Sequence, residues 1–325
     1  MTFDPPSPGT PTRMTLEQGE YLNDVACPTT SRCIAIDYDA KLTFDPTSPG
    51  TPTRTTIGSG ALGEFLNAIA CPVASQCTAV TGSGSALTFD PGALGALTAT
   101  NVDPGEALNT VACPSMSQCT ALDDVGGAVT FDPAAPGSAS RTTVNPGTPP
   151  EGGLACPSTT QCTAIDLFSG VEVTFDPASP VTPVRTKIDP GELLSGVACP
   201  SIRQCIVIDS GGGELTFDPA SPGTPTRTVV DARSLGDLAC PSTRRCTVND
   251  GAGDEVTFDP FSRKAPTRAL IGTGSSAIVA LACPSISPER AVTIRAPDGR
   301  GRGYVRLSRD PGIAEVSDPE LGGSP

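Results

Sequence analysis

The sequence predicts an all-β fold, a seven-bladed β-propeller of four-stranded antiparallel blades closed by N-terminal strands joining the last blade. Three observations predict it. Phe-Asp-Pro begins at Phe3, Phe44, Phe89, Phe131, Phe175, Phe217 and Phe258, in steps of 41 to 45 residues. Ala-Cys-Pro places its Cys at 27, 71, 113, 156, 199, 240 and 283, in steps of 41 to 44. Between these landmarks lie short apolar, β-branched runs bounded by turn formers, and no stretch keeps a 3.6-residue period. A period of about 43 residues holding four strands is that of a propeller blade.

The residues from 192 to 231 show one repeat. The first strand, Leu193 to Cys199, ends in Ala-Cys-Pro, and the second, Gln204 to Asp209, reads Gln-Cys-Ile-Val-Ile-Asp. After Ser210-Gly211-Gly212-Gly213 comes the third, Glu214 to Asp218. The fourth, Thr226 to Asp231, follows the Pro- and Gly-rich Pro219 to Pro225. A four-stranded sheet cannot bury both faces alone. Blade packed on blade in a ring covers them and leaves only short edges. Seven of the ten Phe belong to Phe-Asp-Pro, which makes this Phe the expected aromatic packing between blades. An open solenoid of sheets is the rival architecture.

The ends point to closure. Met1 to Glu17 reads as third- and fourth-strand sequence that can complete the last blade, after Cys283 and a second-strand-like Ala291 to Ile294. Gly303 to Pro311 reads as a degenerate third strand competing for the same slot. The expected division is a propeller over 1–295 and a degenerate strand with a C-terminal tail over 296–325.

Twelve of the thirteen Cys form pairs of identical C-x5-C spacing: Cys27/Cys33, Cys71/Cys77, Cys113/Cys119, Cys156/Cys162, Cys199/Cys205 and Cys240/Cys246. Each brackets a Pro-containing turn between first and second strands, where facing hairpin residues come close enough to bridge. Disulfides are the leading reading, with reduced core thiols or metal ligation as alternatives. Structural zinc gathers its ligands in fours, whereas these pairs sit one per blade. The seventh Cys, Cys283, has Glu289 where its partner would stand, leaving a lone buried thiol. Disulfides imply an oxidising compartment and so a secreted or cell-surface protein. No signal peptide precedes the first repeat, and a start in mid-blade suggests an incomplete N-terminus.

Composition excludes several functions. The chain has no His, hence no Ser-His-Asp or Cys-His catalysis, no imidazole base and no His-bearing zinc site. No apolar run approaches the roughly 18 residues of a membrane span. The net charge of −14 argues against nucleic acid and anionic membranes as partners. That charge lies in the body, because residues 289–325 carry six Arg against six acids.

In its Leu-x-x-Val-Ala-Cys-Pro, Cys-x-Ala-Val/Ile-Asp-x-x-Gly and Thr-Phe-Asp-Pro strings, the repeat resembles bacterial secreted propeller proteins with cysteine-paired blades. It is more distantly similar to Asp-box (neuraminidase-repeat) propellers: Thr216-Phe217-Asp218 matches the start of the box, but Pro219 follows, Gly223 comes late and the Trp is absent. The resemblance implies the fold and carries over no catalytic residue. Sialidase chemistry, with its Tyr nucleophile, partnering Glu and Arg triad, fits poorly with a chain whose only Tyr are Tyr21, Tyr38 and Tyr304.

Two series of aspartates recur. Those of Phe-Asp-Pro (Asp4, Asp45, Asp90, Asp132, Asp176, Asp218, Asp259) are expected to cap the turn that follows them. A Ca²⁺ site per blade is the functional alternative, against which stands the lack of DxDxDG-type density. The second series follows the second Cys by four: Asp37, Thr81, Asp123, Asp166, Asp209 and Asp250. With Glu20, Glu106 and Glu192 in the linkers to first strands, these are expected on one rim. They form either solvated turns or an acidic docking face for a cationic partner or Ca²⁺. The connection Phe-Asp-Pro-x-Ser-Pro-Gly-Thr-Pro-Thr-Arg at 3–13, 44–54 and 217–227 is read as a rigid turn, with a glycan acceptor or Pro-motif ligand as alternatives. The Arg cluster 290–309 is read as a solvated terminus, with an anionic polymer as the alternative partner.

The expected role is a non-enzymatic binding or scaffold propeller, monomeric and without a required cofactor. Its partner would be a protein or cell-surface polymer. The alternative is a glycan-directed hydrolase or lyase with paired carboxylates in the central channel.

Overall fold

The computed structural model describes residues 11–18, 21–48, 50–57, 65–93, 97, 99–144, 153–179, 183–189, 191–269, 278–283, 292–295 and 302–308. It is an all-β propeller whose described residues include one 3-10 turn, Pro136–Ser138, and no α-helix. Six blades are each built from four consecutive antiparallel strands. Blade 1 runs Asp24–Thr29, Arg32–Ile36, Ala40–Phe44, Thr53–Thr56; blade 5 runs Leu194–Ser201, Gln204–Asp209, Gly213–Phe217, Arg227–Val229; blade 6 runs Leu235–Ser242, Arg245–Asp250, Glu255–Phe258, Thr267–Ala269.

The expectation of seven blades is thus corrected to six. Although each landmark occurs seven times, only six repeats run from an Ala-Cys-Pro through to a Phe-Asp-Pro. The first Phe-Asp-Pro, at Phe3, precedes every Ala-Cys-Pro and lies outside the described residues. The last Ala-Cys-Pro, at Cys283, has no Phe-Asp-Pro after it. These two half-repeats make no further blade of consecutive strands. Instead, both chain ends contribute to a composite closing sheet in the order Pro11–Gln18, Arg302–Ser308, Val292–Arg295, Ile278–Ala282. The expected pair of N-terminal strands is also corrected: one strand, Pro11–Gln18, supplies the outer edge, and Arg302–Ser308 takes the third position.

First strands line the ring. Each touches the first strand of the next blade, and Ile278–Ala282 of the closing sheet touches both Asp24–Thr29 of blade 1 and Leu235–Ser242 of blade 6. The hydrophobic cores lie between blades. Ile34, Ile36 and Ile57 of blade 1 pack with Leu66, Cys77, Leu87 and Phe89 of blade 2. Ile206, Ile208 and Val230 of blade 5 likewise pack with Leu235, Cys246, Val248 and Phe258 of blade 6. The Phe of Phe-Asp-Pro therefore inserts against the preceding blade. Burying such a Phe is worth roughly 2 kcal/mol.

All six C-x5-C pairs are disulfides, with Cα atoms 4.1 to 4.2 Å apart. Their placement differs from that of simple turn staples. The second Cys of each pair, Cys33, Cys77, Cys119, Cys162, Cys205 or Cys246, is fully buried and belongs to the apolar core between blades. Cys33 packs with Phe44, Cys119 with Phe131 and Cys162 with Phe175. The reason is register: each of these Cys pairs directly with the Phe of its own Phe-Asp-Pro on the third strand, so both side chains leave the same face of the sheet. Cys283 is free and half-buried. A second stitch crosses the same rim. The Gln before the second Cys donates its amide N–H to the disulfide-turn carbonyl of the next blade: Gln76 to Met116 at 2.9 Å, Gln118 to Thr159 at 2.8 Å, Gln161 to Ile202 at 3.1 Å and Gln204 to Thr243 at 2.9 Å.

Candidate functional site

The antiparallel order of each blade places the turns between second and third strands, and the linkers to first strands, on one rim. The aspartates Asp37, Asp123, Asp166, Asp209 and Asp250 begin these turns and are at most 3 % exposed. Asp209 Oδ1 accepts the backbone N–H groups of Gly211 at 2.8 Å and Gly213 at 2.9 Å. Asp123 does the same for Val125 and Gly127, Asp250 for Ala252 and Asp254, and Asp37 for Asp39 and Ala40. Asp166 accepts from Phe168 at 2.9 Å. Blade 2 keeps this cap with Thr81, whose hydroxyl accepts from Ser83 and Ser85. The turn closes through a left-handed glycine: Gly212 has φ +81°, and a Cβ there would strike the Asp231 carbonyl.

Four of these aspartates, Asp37, Asp123, Asp209 and Asp250, also meet an arginine of the fourth strand. Arg227 grips Asp209 with two bonds, at 2.6 and 2.7 Å. Arg141 contacts Asp123 at 2.6 Å, Arg54 contacts Asp37 at 3.0 Å and Arg268 contacts Asp250 at 2.6 Å. A second acid, at the end of the preceding blade's fourth strand, reaches the same guanidinium: Asp103 at 3.6 Å from Arg141, Asp189 at 4.0 Å from Arg227, and Asp231 against Arg268. Arg233 adds to the blade 6 cluster, 2.7 Å from Asp250. Burial first, and then the neighbouring Asp123, lift Asp103 to about 6. The rim is thus laced by Asp–Arg–Asp joints from blade to blade. In Asp37, Asp123, Asp209 and Asp250 the oxygens expected for Ca²⁺ meet N–H groups and guanidinium. Among the described residues, no group of three or more His, Cys, Asp or Glu is placed to hold a metal ion.

Replacing Arg227 by Ala is expected to destabilise the fold by about 2 kcal/mol. This is below the roughly 3–5 kcal/mol for a fully buried pair, because the guanidinium is 30 % exposed. Blade 2 shows the compatible alternative, Thr81 with Ala99 at the arginine position. Adding Asp209→Thr to Arg227→Ala should therefore recover most of the loss in a denaturant-melt double-mutant cycle. Strict additivity of the two changes would contradict the joint.

Beside these joints, apolar side chains stand exposed on the rim. Tyr38, Val125 and Phe168, each within the turn after its Asp, are 48, 46 and 62 % exposed, and Tyr21 and Leu193 in linkers are 67 and 46 % exposed. The Tyr38 and Phe65 rings lie 4.2 Å apart. Exposed acids are interspersed, notably Asp124 and Glu192, with Glu106 half-buried. Glu20 lies outside the described residues. The acidic face expected from the sequence is therefore a mixed one, with exposed apolar and acidic side chains beside buried acids that meet arginines.

Two acids at the ring centre were not singled out in the sequence. Asp24 accepts N–H bonds from Val25 at 2.7 Å and from Ile69 of blade 2 at 2.8 Å. Asp237 accepts from Leu238 at 2.9 Å and from Leu281 of the closing sheet at 2.6 Å. Burial lifts Asp24 to about 7 and Asp237 to about 6, and Asp237 adds to the rise at Asp24. Each bridges two neighbouring sheets through backbone N–H groups.

On the opposite rim, the described Phe-Asp-Pro aspartates cap their own turns. Oδ1 accepts the N–H two residues on, at 2.7 to 3.0 Å, in Asp45, Asp90, Asp132, Asp176, Asp218 and Asp259. Asp4 lies outside the described residues, as do Arg290, Arg300 and Arg309 of the Arg cluster 290–309. Among the described residues, no helix is long and apolar enough to cross a membrane.

No family model and no curated protein matches this chain. Solved structures do. YCF48, in a structure described as bound to D1 peptide, superposes with a TM-score of 0.73 at 12 % identity over 95 % of this chain and 98 % of its own. Raptor from Chaetomium thermophilum superposes with a TM-score of 0.71 at 11 % identity, covering 95 % of this chain and 30 % of its own. At such identities the likeness establishes one thing, the β-propeller fold.

Proposed function

We propose that this chain is an exported, non-enzymatic propeller that docks a protein partner on the rim of the turns between second and third strands. The observation that carries the reading is the set of exposed apolar side chains there, Tyr21, Tyr38, Val125, Phe168 and Leu193, on turns held rigid by capped aspartates and Asp–Arg joints. Binding residues concentrate on loops held by a rigid scaffold. Asp124 and Glu192 beside them suit a partner with cationic flanks. The peptide bound to the similarly folded YCF48 supports a protein ligand. Six disulfides suggest an oxidising, extracellular setting, in keeping with the resemblance to cysteine-paired secreted propellers. The hydrolase or lyase reading draws on Asp24 and Asp237 alone.

The test immobilises three forms of the full chain: wild type, Tyr38→Ser with Phe168→Ser, and Ile202→Ser with Phe261→Ser on the opposite rim. Each is exposed to the extracellular proteins of the producing cells, and captured proteins are identified by mass spectrometry. A partner held by the wild type and the opposite-rim variant but lost by the first variant is expected. Equal capture by all three, or loss confined to the opposite-rim variant, overturns the reading.

A further inference from the structure

Blade 1 contains a lysine where the other blades have alanine or glutamate. Lys41, on the third strand, is 2 % exposed, and its ammonium lies 4.9 Å from the centroid of the Phe89 ring of blade 2. It donates to three backbone carbonyls of the blade 2 Phe-Asp-Pro turn: Asp90 at 3.3 Å, Pro91 at 2.9 Å and Ala93 at 2.9 Å. The joint between blades is thus a ready cradle for a primary ammonium on an aliphatic stem.

The same cradle recurs between blades 5 and 6 without its lysine. Glu214 stands at the position of Lys41, in the same register: Lys41 pairs with Ile36 and Thr55, Glu214 with Ile208 and Thr228. Phe258 replaces Phe89, and Asp259, Pro260 and Ser262 replace Asp90, Pro91 and Ala93. The two turns share one conformation, because Ala93 and Ser262 donate to the Asp90 and Asp259 carbonyls at 3.0 and 2.9 Å, and Gly92 and Phe261 to the Asp side chains at 2.8 and 3.0 Å. The hydroxyl that in blade 1 crosses the joint, Thr43 to the Pro91 carbonyl, has turned in blade 5, where Thr216 donates to Glu214 at 2.9 Å. Here a cleft of about 190 Å³ opens, with Glu214, 3 % exposed, at its floor and Val229, Val230, Phe258 and Pro260 among its walls. The exposed Arg263 and Lys264 stand at its mouth and enter no ion pair among the described residues, whereas Asp259 is paired with Arg244 at 2.9 Å.

A buried carboxylate and the carbonyls of a Phe-Asp-Pro turn lining one cleft, an apolar sleeve, and cations at the mouth complement a ligand with the reverse order of groups. We propose that the cleft between blades 5 and 6 binds an ω-amino carboxylate, such as a C-terminal lysine: ammonium on Glu214 and the Pro260 and Ser262 carbonyls, stem along Phe258, carboxylate at Arg263 and Lys264. Ca²⁺ suits it less, since that ion takes 6–8 oxygens. The cleft is on the Phe-Asp-Pro side, away from the rim of Tyr38 and Phe168, and stands independent of the docking proposed there.

The experiment titrates the full chain with 6-aminohexanoate, hexylamine and hexanoate by calorimetry. Removing either charge-assisted interaction should weaken binding about tenfold or more, so 6-aminohexanoate is expected to bind at least about tenfold more tightly than either single-ended probe. Glu214→Gln should abolish the advantage that the ammonium confers. Lys264→Ala with Arg263→Ala, at exposed positions that leave the fold intact, should reduce 6-aminohexanoate to the affinity of hexylamine. Equal affinity for all three probes, no binding of any, or 6-aminohexanoate affinity unmoved by the exposed pair would overturn the proposal.

Discussion

Reduction of the six bridges is expected to unfold this protein. Each bridge closes a loop of sequence separation 6 and lies within its own blade. In the chain-entropy account a loop that short contributes about 2 kcal/mol. The bridges lie in different blades, so their contributions should add, to about 12 kcal/mol. A domain's whole net stability is roughly 5–15 kcal/mol, so the reduced chain has little or none left. The second Cys of each pair, buried in the core between blades, shields its bridge, so reductant alone should act slowly and reductant with mild denaturant quickly. Two measurements check this. Alkylation of the denatured, unreduced protein should label one thiol, Cys283, and reduction should release all thirteen. A thermal melt of the reduced chain should show loss of its cooperative transition at 37 °C, and Cys199→Ala with Cys205→Ala alone should cost about 2 kcal/mol. Thirteen free thiols without reductant, or an unchanged melt after reduction, would refute the argument and with it the oxidising compartment.

The fold was legible because its signal is periodic. Phe89, Phe131 and Phe258 recur at fixed distance from the Cys pairs, and in each case the residue that repeats is the one that packs on the preceding blade. The blade number of seven came from the landmarks taken separately. Phe3 and Cys283 belong to half-repeats, and pairing landmarks in chain order yields six. The Asp–Arg joints were also within reach. The arginines 54, 141, 185, 227 and 268 each follow the Phe of Phe-Asp-Pro by ten residues, and the blade with Ala99 there is the blade with Thr81 in place of Asp. That coincidence signals a salt bridge, but it shows only when fourth strands are aligned through the Pro-rich connections. The second acid of the joint, by contrast, is Asp189 of the preceding blade, 4.0 Å from Arg227, a contact between repeats that no spacing within one repeat encodes. Asp24 and Asp237 escaped notice for the same reason: each sits in a slot that Ala68 fills in blade 2 and Gly196 in blade 5, and its partner is a backbone N–H of the next sheet.

Glu172→Gln is expected to stabilise the protein at pH 8 and leave it unchanged near pH 4. Glu172, on the third strand of blade 4 (Val171–Phe175), is fully buried. Thr174 donates to its Oε2 at 2.7 Å, and Oε1 has no hydrogen-bond partner. Burial outweighs the bonds from Thr174 and Thr186 and lifts the acid from 4.5 to about 7. A carboxyl whose pKa is raised by folding holds its proton more tightly in the native state. Its contribution is therefore complete below pH 4.5, where both states are protonated, and is lost as pH rises towards 7. The loss is roughly 3 kcal/mol, from about 1.4 kcal/mol per pH unit. Asp24 and Asp237, lifted to about 7 and about 6, act in the same direction, as does the self-repulsion of a chain carrying −14. The melting temperature of the wild type should therefore fall between pH 5 and pH 8. Glutamine keeps the shape and acceptor of the neutral acid without the ionisation, so the variant should fall less, the two curves meeting near pH 4 and parting above it. Parallel curves across this range would mean that Glu172 ionises as freely in the fold as in the unfolded chain, and that its orphaned oxygen has found a partner.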